Sequence, residues 1–197
     1  MKKILSISLL LSLSLFLLLY PIFIQLIAFL HPIVLGVVFF CIIIVVLFIL
    51  LFMKKKTIHL SYSLFSWILI FYTITLLILL FLRPNHQIYD SINLVPFATI
   101  KYYLSGKVNL LVSFYNLAAN IGLFIPYGIF LMTRNYSSFI LIFTPLLFIS
   151  FIELGQFITH RGSLDIDDLI LNLLGISVGY LIYPMFKRVV KIKKSDA

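Results

Sequence analysis

The chain has 197 residues, 63% of them hydrophobic and only 11% charged, with a formal net charge of +9. So apolar a composition excludes a large soluble domain, and the single cysteine, Cys41, excludes a disulfide framework or a cysteine metal site. The excess positive charge does not point to nucleic acid, because the cations gather at the ends of apolar runs rather than along one face.

A helix needs about 20 apolar residues to cross about 30 Å of hydrocarbon. Six stretches qualify: Ile4–Leu30, Ile33–Met53, Ile58–Leu82, Leu111–Thr133, Ser138–Ile158 and Leu169–Phe186. The expected fold is all-α, a polytopic transmembrane bundle of about six spans. Backbone polar groups find no hydrogen bonds in lipid, so continuous apolar runs of this length read as helices and exclude a β-barrel. The first span follows Lys2 and Lys3, but its apolar core is too long for a signal peptide and no small-residue cleavage site follows, so it is expected to be retained. Pro21 is a point where it can kink.

Lys2, Lys3, Lys54, Lys55, Lys56, Arg134, Lys187, Arg188, Lys191, Lys193 and Lys194 fall at one set of loop ends, and Arg83, Lys101, Lys107 and Arg161 at the other. The positive-inside rule then places both termini in the cytoplasm. Three organisational units follow: residues 1–82 as three N-terminal transmembrane helices, 83–186 as a polar-bearing domain with three more, and 187–197 as a basic cytoplasmic tail. The first three spans carry no ionisable group except His59 near a cytoplasmic end.

Beyond residue 83 the chain changes character. The outer loop from Arg83 to Leu110 holds Asn93-Leu94-Val95-Pro96-Phe97, followed by an aromatic-rich run through Tyr102 and Tyr103. Proline predicts a turn near Pro96, and the aromatic residues, with Tyr89, suit the lipid–water interface, so a short interfacial helix is expected after the turn, either as a belt anchor or as a lid. His31 and His86 read as solvated loop residues.

The fourth span carries Asn116 and Asn120 at i,i+4, on one helix face, then Pro126 and Gly128. Asparagine there serves as interhelical glue or as a ligand contact. Near the outer end of the fifth span, Glu153, Gln156 and His160 stand at i, i+3 and i+7, followed by Arg161. An ionised, unpaired carboxylate at such depth costs about 2.5 kcal/mol or more, so Glu153 demands a partner, with Arg161, Asn116 and Asn120 the candidates. A carboxyl raised in pKa there would make a proton donor or relay.

The sixth span opens with Asp165, Asp167 and Asp168. Asp165 suits the helix N-cap and Asp168 the first turn, where negative charge meets the positive end of the helix dipole. Capping does not account for three acids. Asp168, Asn172, Gly175 and Gly179 form one stripe, polar outside and glycine below, expected to pack tightly against the fifth helix. The short connection Thr159–Asp167 makes the last two helices antiparallel neighbours, gathering Glu153, Arg161 and Asp168 into one outward cluster. The carboxylates have the oxygen-rich character of a hard-cation site, but no ligand spacing defines one, and neither a metal nor a cofactor is expected. There is no Gly-rich phosphate loop, no Ser or Cys nucleophile motif and no paired-histidine zinc motif.

The ordered set Asn93-Leu-Val-Pro-Phe, Asn120 with Phe124-Ile-Pro-Tyr-Gly128, Glu153-x-x-Gln156, Arg161, and Asp165-x-Asp167-Asp168-x-x-x-Asn172-x-x-Gly175-x-x-x-Gly179 resembles the VanZ-like family of bacterial membrane proteins. The likeness runs from about Arg83 to Tyr183. It implies a multi-pass protein of the bacterial cell membrane with a role in the cell envelope and in teicoplanin-type glycopeptide resistance; it implies no reaction.

The expected pocket therefore comprises Asn93, Asn116, Asn120, Glu153, Gln156, Arg161, Asp165, Asp167, Asp168 and Asn172, with Pro126, Gly128, Gly175 and Gly179 as packing residues. Its partners would be membrane lipids and a lipid-linked envelope precursor or lipoglycopeptide. One rival reading is an enzyme on an envelope lipid, with Glu153 or Asp168 as acid/base and His160 assisting. Others are a proton-coupled transporter or flippase using Glu153, and a non-catalytic assembly partner.

Overall fold

The computed structural model describes residues 2–27, 33–81, 91–134 and 136–193. His31, Arg83, His86 and Tyr89, and the residues between the first and second helices, lie outside these. The described chain forms two compact units, one up to His59 together with Lys187–Lys191, the other over Leu60–Phe186.

The helices are α1 (Lys2–Ile27), α2 (Ile33–Met53), α3 (Tyr62–Phe81), α4 (Ala98–Leu104), α5 (Leu110–Met132), α6 (Ser138–Ile158) and α7 (Ile166–Val189). Short strands interrupt them: β1 (Ile58–Ser61), β2 (Ile92–Asn93), β3 (Leu164–Asp165) and β4 (Val190–Lys193). α1, α5, α6 and α7 are long and apolar enough to cross a membrane, while Val38–Met53 and Tyr62–Ile78 are shorter apolar stretches.

Two expected boundaries are corrected. The span expected from Ile58 begins as strand β1, and its helix starts only at Tyr62, where Ser61 Oγ accepts the Leu64 amide at 3.2 Å. A hydroxyl there satisfies an orphan amide of the first turn and so fixes the start. The last helix is longer than the span Leu169–Phe186 at both ends, because Asp167 and Asp168 lie in its first turn and Lys187 and Arg188 in its last, each matching the dipole.

In the first unit, α1 and α2 meet through aromatic contact, Phe16 and Phe39 lying 5.0 Å apart between ring centroids. In the second unit the core is Leu76, Phe124, Tyr127, Ile149, Ile152 and Ile176, drawn from α3, α5, α6 and α7. Hydroxyls stitch this apolar core: Tyr72 donates to the Leu123 carbonyl at 2.7 Å, Tyr127 to Thr73 Oγ1 at 3.0 Å and Tyr180 to the Leu141 carbonyl at 2.6 Å. At the opposite end from the acids, Arg134 Nε donates to the Tyr62 hydroxyl at 2.8 Å, and its guanidinium lies 4.4 Å from the centre of that ring.

The glycines bring α5 and α7 into backbone contact. A Cβ on Gly175 would strike the Ile121 carbonyl, one on Gly128 the Ile176 carbonyl, and one on Gly179 would sit 2.8 Å from Gly128 Cα. Gly128 and Gly179 thus face each other, a close crossing that only residues without Cβ permit. This corrects the expected direction of the glycine stripe: it packs on the helix of the fourth span, not the fifth. Pro126 lies inside α5 just before this crossing; lacking an N–H, it forgoes the hydrogen bond to the Gly122 carbonyl.

Candidate functional site

The site is built where α6 ends and α7 begins. α6 closes on a Schellman turn: Arg161 N–H donates to the Gln156 carbonyl at 2.8 Å and His160 N–H to that of Phe157 at 3.0 Å. His160 occupies the left-handed position, φ 54°, usually given to glycine. That placement corrects the expected stripe. Glu153 and Gln156 are buried, but the helix stops at Ile158 and the reversed turn leaves His160 exposed.

The chain then passes buried Gly162, where a Cβ would meet the Gln156 side chain at 3.1 Å, into β3. β3 pairs in parallel with β2, Ile92 opposite Leu164 and Asn93 opposite Asp165. This pairing brings the outer segment to the start of α7, and three carboxylates then divide the work.

Asp165 is the N-cap, its Oδ1 accepting the Asp167 amide at 2.9 Å. It also accepts from Asn93 Nδ2 at 3.3 Å and from Thr99 Oγ1 at 2.5 Å, so it is more than a cap. Asp167, 0% exposed, caps a different helix. Its Oδ1 accepts the Phe97 amide at 2.5 Å and its Oδ2 the Ile100 amide at 3.0 Å, the N-cap and N3 amides of α4. Phe97 has no capping side chain and stands at φ 64°, so α4 owes its start to a residue 70 positions away. Asp168 accepts from Asn120 Nδ2 at 2.6 Å, tying α7 to α5.

The result is a ladder of polar pairs descending along α7. The outermost rung holds Asn93, Thr99, Asp165 and Asp167, together with Asn116 Nδ2 donating to the Tyr103 hydroxyl at 3.2 Å. Asn120–Asp168 lies below. One helical turn deeper, about 6 Å at 1.5 Å per residue, Asn172 Nδ2 donates to Glu153 Oε1 at 3.3 Å. Glu153 is 6% and Asn172 4% exposed. Gln156 turns to α3, donating to the Leu80 carbonyl at 3.1 Å. Below the ladder, the glycine crossing closes α5 onto α7.

Neither Asn116 nor Asn120 makes a described hydrogen bond to Glu153; its amide partner is Asn172. Among the described residues no donor reaches Asn172 Oδ1, which is buried. An unsatisfied acceptor in a low-dielectric interior costs about 1–3 kcal/mol, and such groups in native proteins call for a reason. Arg161 is half-buried beside this ladder in sequence, on the turn that joins α6 to α7. No group of three His, Cys, Asp or Glu side chains among the described residues is placed to hold a metal ion.

A family model described as VanZ/LLP1 matches residues 60–187, well over half of the chain. The chain belongs to the VanZ/LLP1 family. No curated protein and no solved structure matches it. The VanZ/LLP1 match contains every rung of the ladder and also α3, whose Tyr72 and Thr73 bind α5 and whose Leu80 carbonyl receives Gln156. With four membrane-length apolar helices among the described residues, the chain is a membrane protein of the VanZ type.

Sequence reasoning gave no role to Thr99 and gave Tyr103 only to the interface, although both complete the outer rung, and it passed over Gly155 and Gly162, which let Phe81 and Gln156 come close. Thr99 stands six residues after Asn93, and that spacing carries no periodic signal; the turn at Pro96 brings the two together, Asn93 Nδ2 donating to Thr99 Oγ1 at 3.0 Å.

Proposed function

We propose that this VanZ/LLP1 protein acts in the bacterial cell envelope, lowering susceptibility to teicoplanin-type glycopeptides through the polar ladder between α5, α6 and α7. In this reading the chain crosses the bacterial membrane six times with both termini cytoplasmic, and the ladder opens to the outer face. Its ligand is a polar headgroup of a lipid-linked envelope precursor, or the lipoglycopeptide itself. The observation that carries the reading is the Glu153–Asn172 rung: a carboxyl and a carboxamide buried inside apolar helices, with one amide oxygen unmatched.

Two carboxylates at this depth demand positive charge. We assign that role to Arg161, on the connection between α6 and α7, as the shared partner of Glu153 and Asp168.

The test is glycopeptide susceptibility in cells carrying equal membrane levels of the wild-type chain or Glu153→Gln. Glutamine keeps shape and hydrogen bonding but removes the charge and the titratable proton. Loss of protection with unchanged thermal stability supports the reading; unchanged protection removes Glu153 from the site. A second reading, proton-coupled movement of a lipid, is favoured by the same rung, since a protonated Glu153 would supply the donor that Asn172 Oδ1 lacks. It requires protection to collapse when the proton gradient is dissipated.

A further inference from the structure

The segment Ile92–Leu104 has two unlike sides. Its polar groups turn inward: Asn93 and Thr99 to Asp165, the Phe97 and Ile100 amides to Asp167, and the Tyr103 hydroxyl to Asn116. Its other side is apolar and open. Leu94, Val95, Phe97 and Leu104 are all more than half exposed, Leu104 reaching 71%. Leu110 and Phe114, at the start of the membrane-length helix α5 that follows, are 83% and 70% exposed. Exposed Lys101 and Tyr102 stand among these residues, and no acidic side chain occurs anywhere from Ser91 to Ile152.

An apolar patch of this size in water is a liability. A backbone entering lipid must have its amides satisfied. Here two amides at the start of the short helix, those of Phe97 and Ile100, are met by a carboxylate of the same chain and the Ala98 amide by the Val95 carbonyl, which lowers the cost of leaving water. The remaining side has the make-up of the membrane interface: large apolar side chains, a tyrosine and a lysine whose stem can reach a phosphate while its methylenes stay in apolar surroundings.

We propose that Ile92–Leu104 is a docking surface for an anionic phospholipid leaflet, with Leu94, Val95, Phe97 and Leu104 at the boundary between headgroups and acyl chains and Lys101 on a lipid phosphate. Asp165 and Asp167 hold the segment in the shape that docks. The inference rests on the chain being a membrane protein and not on the glycopeptide reading, so either can fail alone.

The test uses the full chain with its only tryptophan removed, Trp67→Phe, and a single new one at Leu104→Trp or, separately, Phe97→Trp. Each is reconstituted in phosphatidylcholine vesicles containing a minority of phosphatidylglycerol, with bromine on the acyl chains of one lipid or the other. Both tryptophans should emit at short wavelength and be quenched several-fold by brominated lipid. Brominated phosphatidylglycerol should quench Leu104→Trp more than brominated phosphatidylcholine at equal mole fraction, and adding Lys101→Gln should erase that difference. Water-like emission without bromine quenching at both positions overturns the surface; equal quenching by the two lipids with Lys101 intact overturns its preference for anionic headgroups. Because Phe97 lies in left-handed backbone, Leu104→Trp is the variant that decides if Phe97→Trp fails to fold.

Discussion

Asp167 Oδ2 accepts the backbone amide of Ile100 at 3.0 Å across 67 residues of chain. The same carboxylate takes the Phe97 amide, so one buried side chain supplies the side-chain cap of α4. Such a cap is charge-assisted, and removing it strands two amides. Asp167→Ala should therefore destabilise the protein by about 2–3 kcal/mol, read as a shift of the unfolding midpoint in a detergent titration. An Asp167→Ala chain that unfolds with the wild type would show that α4 is not held by this contact.

Asp165 is tested apart from its cap. As an N-cap alone, Asp165→Asn would cost almost nothing, since asparagine caps as well as aspartate. The carboxylate also accepts from Asn93 and Thr99. Asparagine has only one acceptor oxygen, so with Asn93 kept on it the Thr99 hydroxyl would face an Nδ2, accept instead of donating, and lose its hydrogen bond to a charged group. Asp165→Asn should cost about 1–2 kcal/mol, and most of that cost should vanish when Thr99→Val is already present. Full cost in both backgrounds would mean that Thr99 is not the partner that matters.

Glycine tolerance should divide sharply by position. A Cβ at Gly179 would lie 2.8 Å from Gly128 Cα, with backbone rather than a flexible side chain in the way, whereas Gly122 has nothing within 4 Å. Gly179→Ala and Gly128→Ala should each lose about 1–3 kcal/mol by forcing α5 and α7 apart, while Gly122→Ala should be neutral or gain up to about 1 kcal/mol from helix propensity. Equal effects at all three positions would argue against the crossing.

Much of this was legible in the sequence, and for identifiable reasons. Long apolar runs mark α1, α5, α6 and α7 because lipid-length helices have no competing local signal. The turn at Pro96 and the short helix after it follow from proline's missing donor. The shared face of Asn116 and Asn120 and the tight packing of Gly175 and Gly179 follow from helical spacing, whereas Asn120, a candidate partner for Glu153 by its spacing, donates instead to Asp168 on α7. Spacing gives a face but not a partner, which is why the glycine face was aimed at the wrong helix. His160 left its stripe because the Schellman turn uses a left-handed histidine where sequence offers no glycine to announce it. The work of Asp167 was hidden for the same reason that its effect is large: the amides it caps are 67 and 70 residues away.

Orientation is open to a direct experiment, and the structure selects the positions. Asp167 is fully buried and unsuited to labelling, whereas Lys55 and Ser105 are exposed. In a Cys41→Ser background, a membrane-impermeant thiol reagent applied to intact cells should label Ser105→Cys and spare Lys55→Cys, as the lysine and arginine asymmetry requires. Labelling at position 55 and not at 105 would invert the protein and remove the outward ladder.

The ladder itself makes the sharpest demand, through Arg161. Double-mutant cycles isolate pairwise terms when each change removes one contact. Glu153→Ala with Asn172→Ala, and Asp168→Ala with Asn120→Ala, should each show coupling of about 0.6–2 kcal/mol, the range for polar pairs inside membrane bundles. The crossed pairs, Glu153 with Asn120 and Asp168 with Asn172, lie on different rungs and should couple by less than about 0.5 kcal/mol. If Arg161 balances both carboxylates, Arg161→Gln should couple to Glu153→Gln and to Asp168→Asn alike, by about 1–3 kcal/mol each, the scale of a hydrogen bond to a charged group. The double variants should then be milder than their parts, because removing the second charge relieves the one left unbalanced. Arg161→Gln that adds to both carboxylate changes without coupling would leave Glu153 and Asp168 with the amide partners seen here and no shared cation, and the joined outward site would have to be given up.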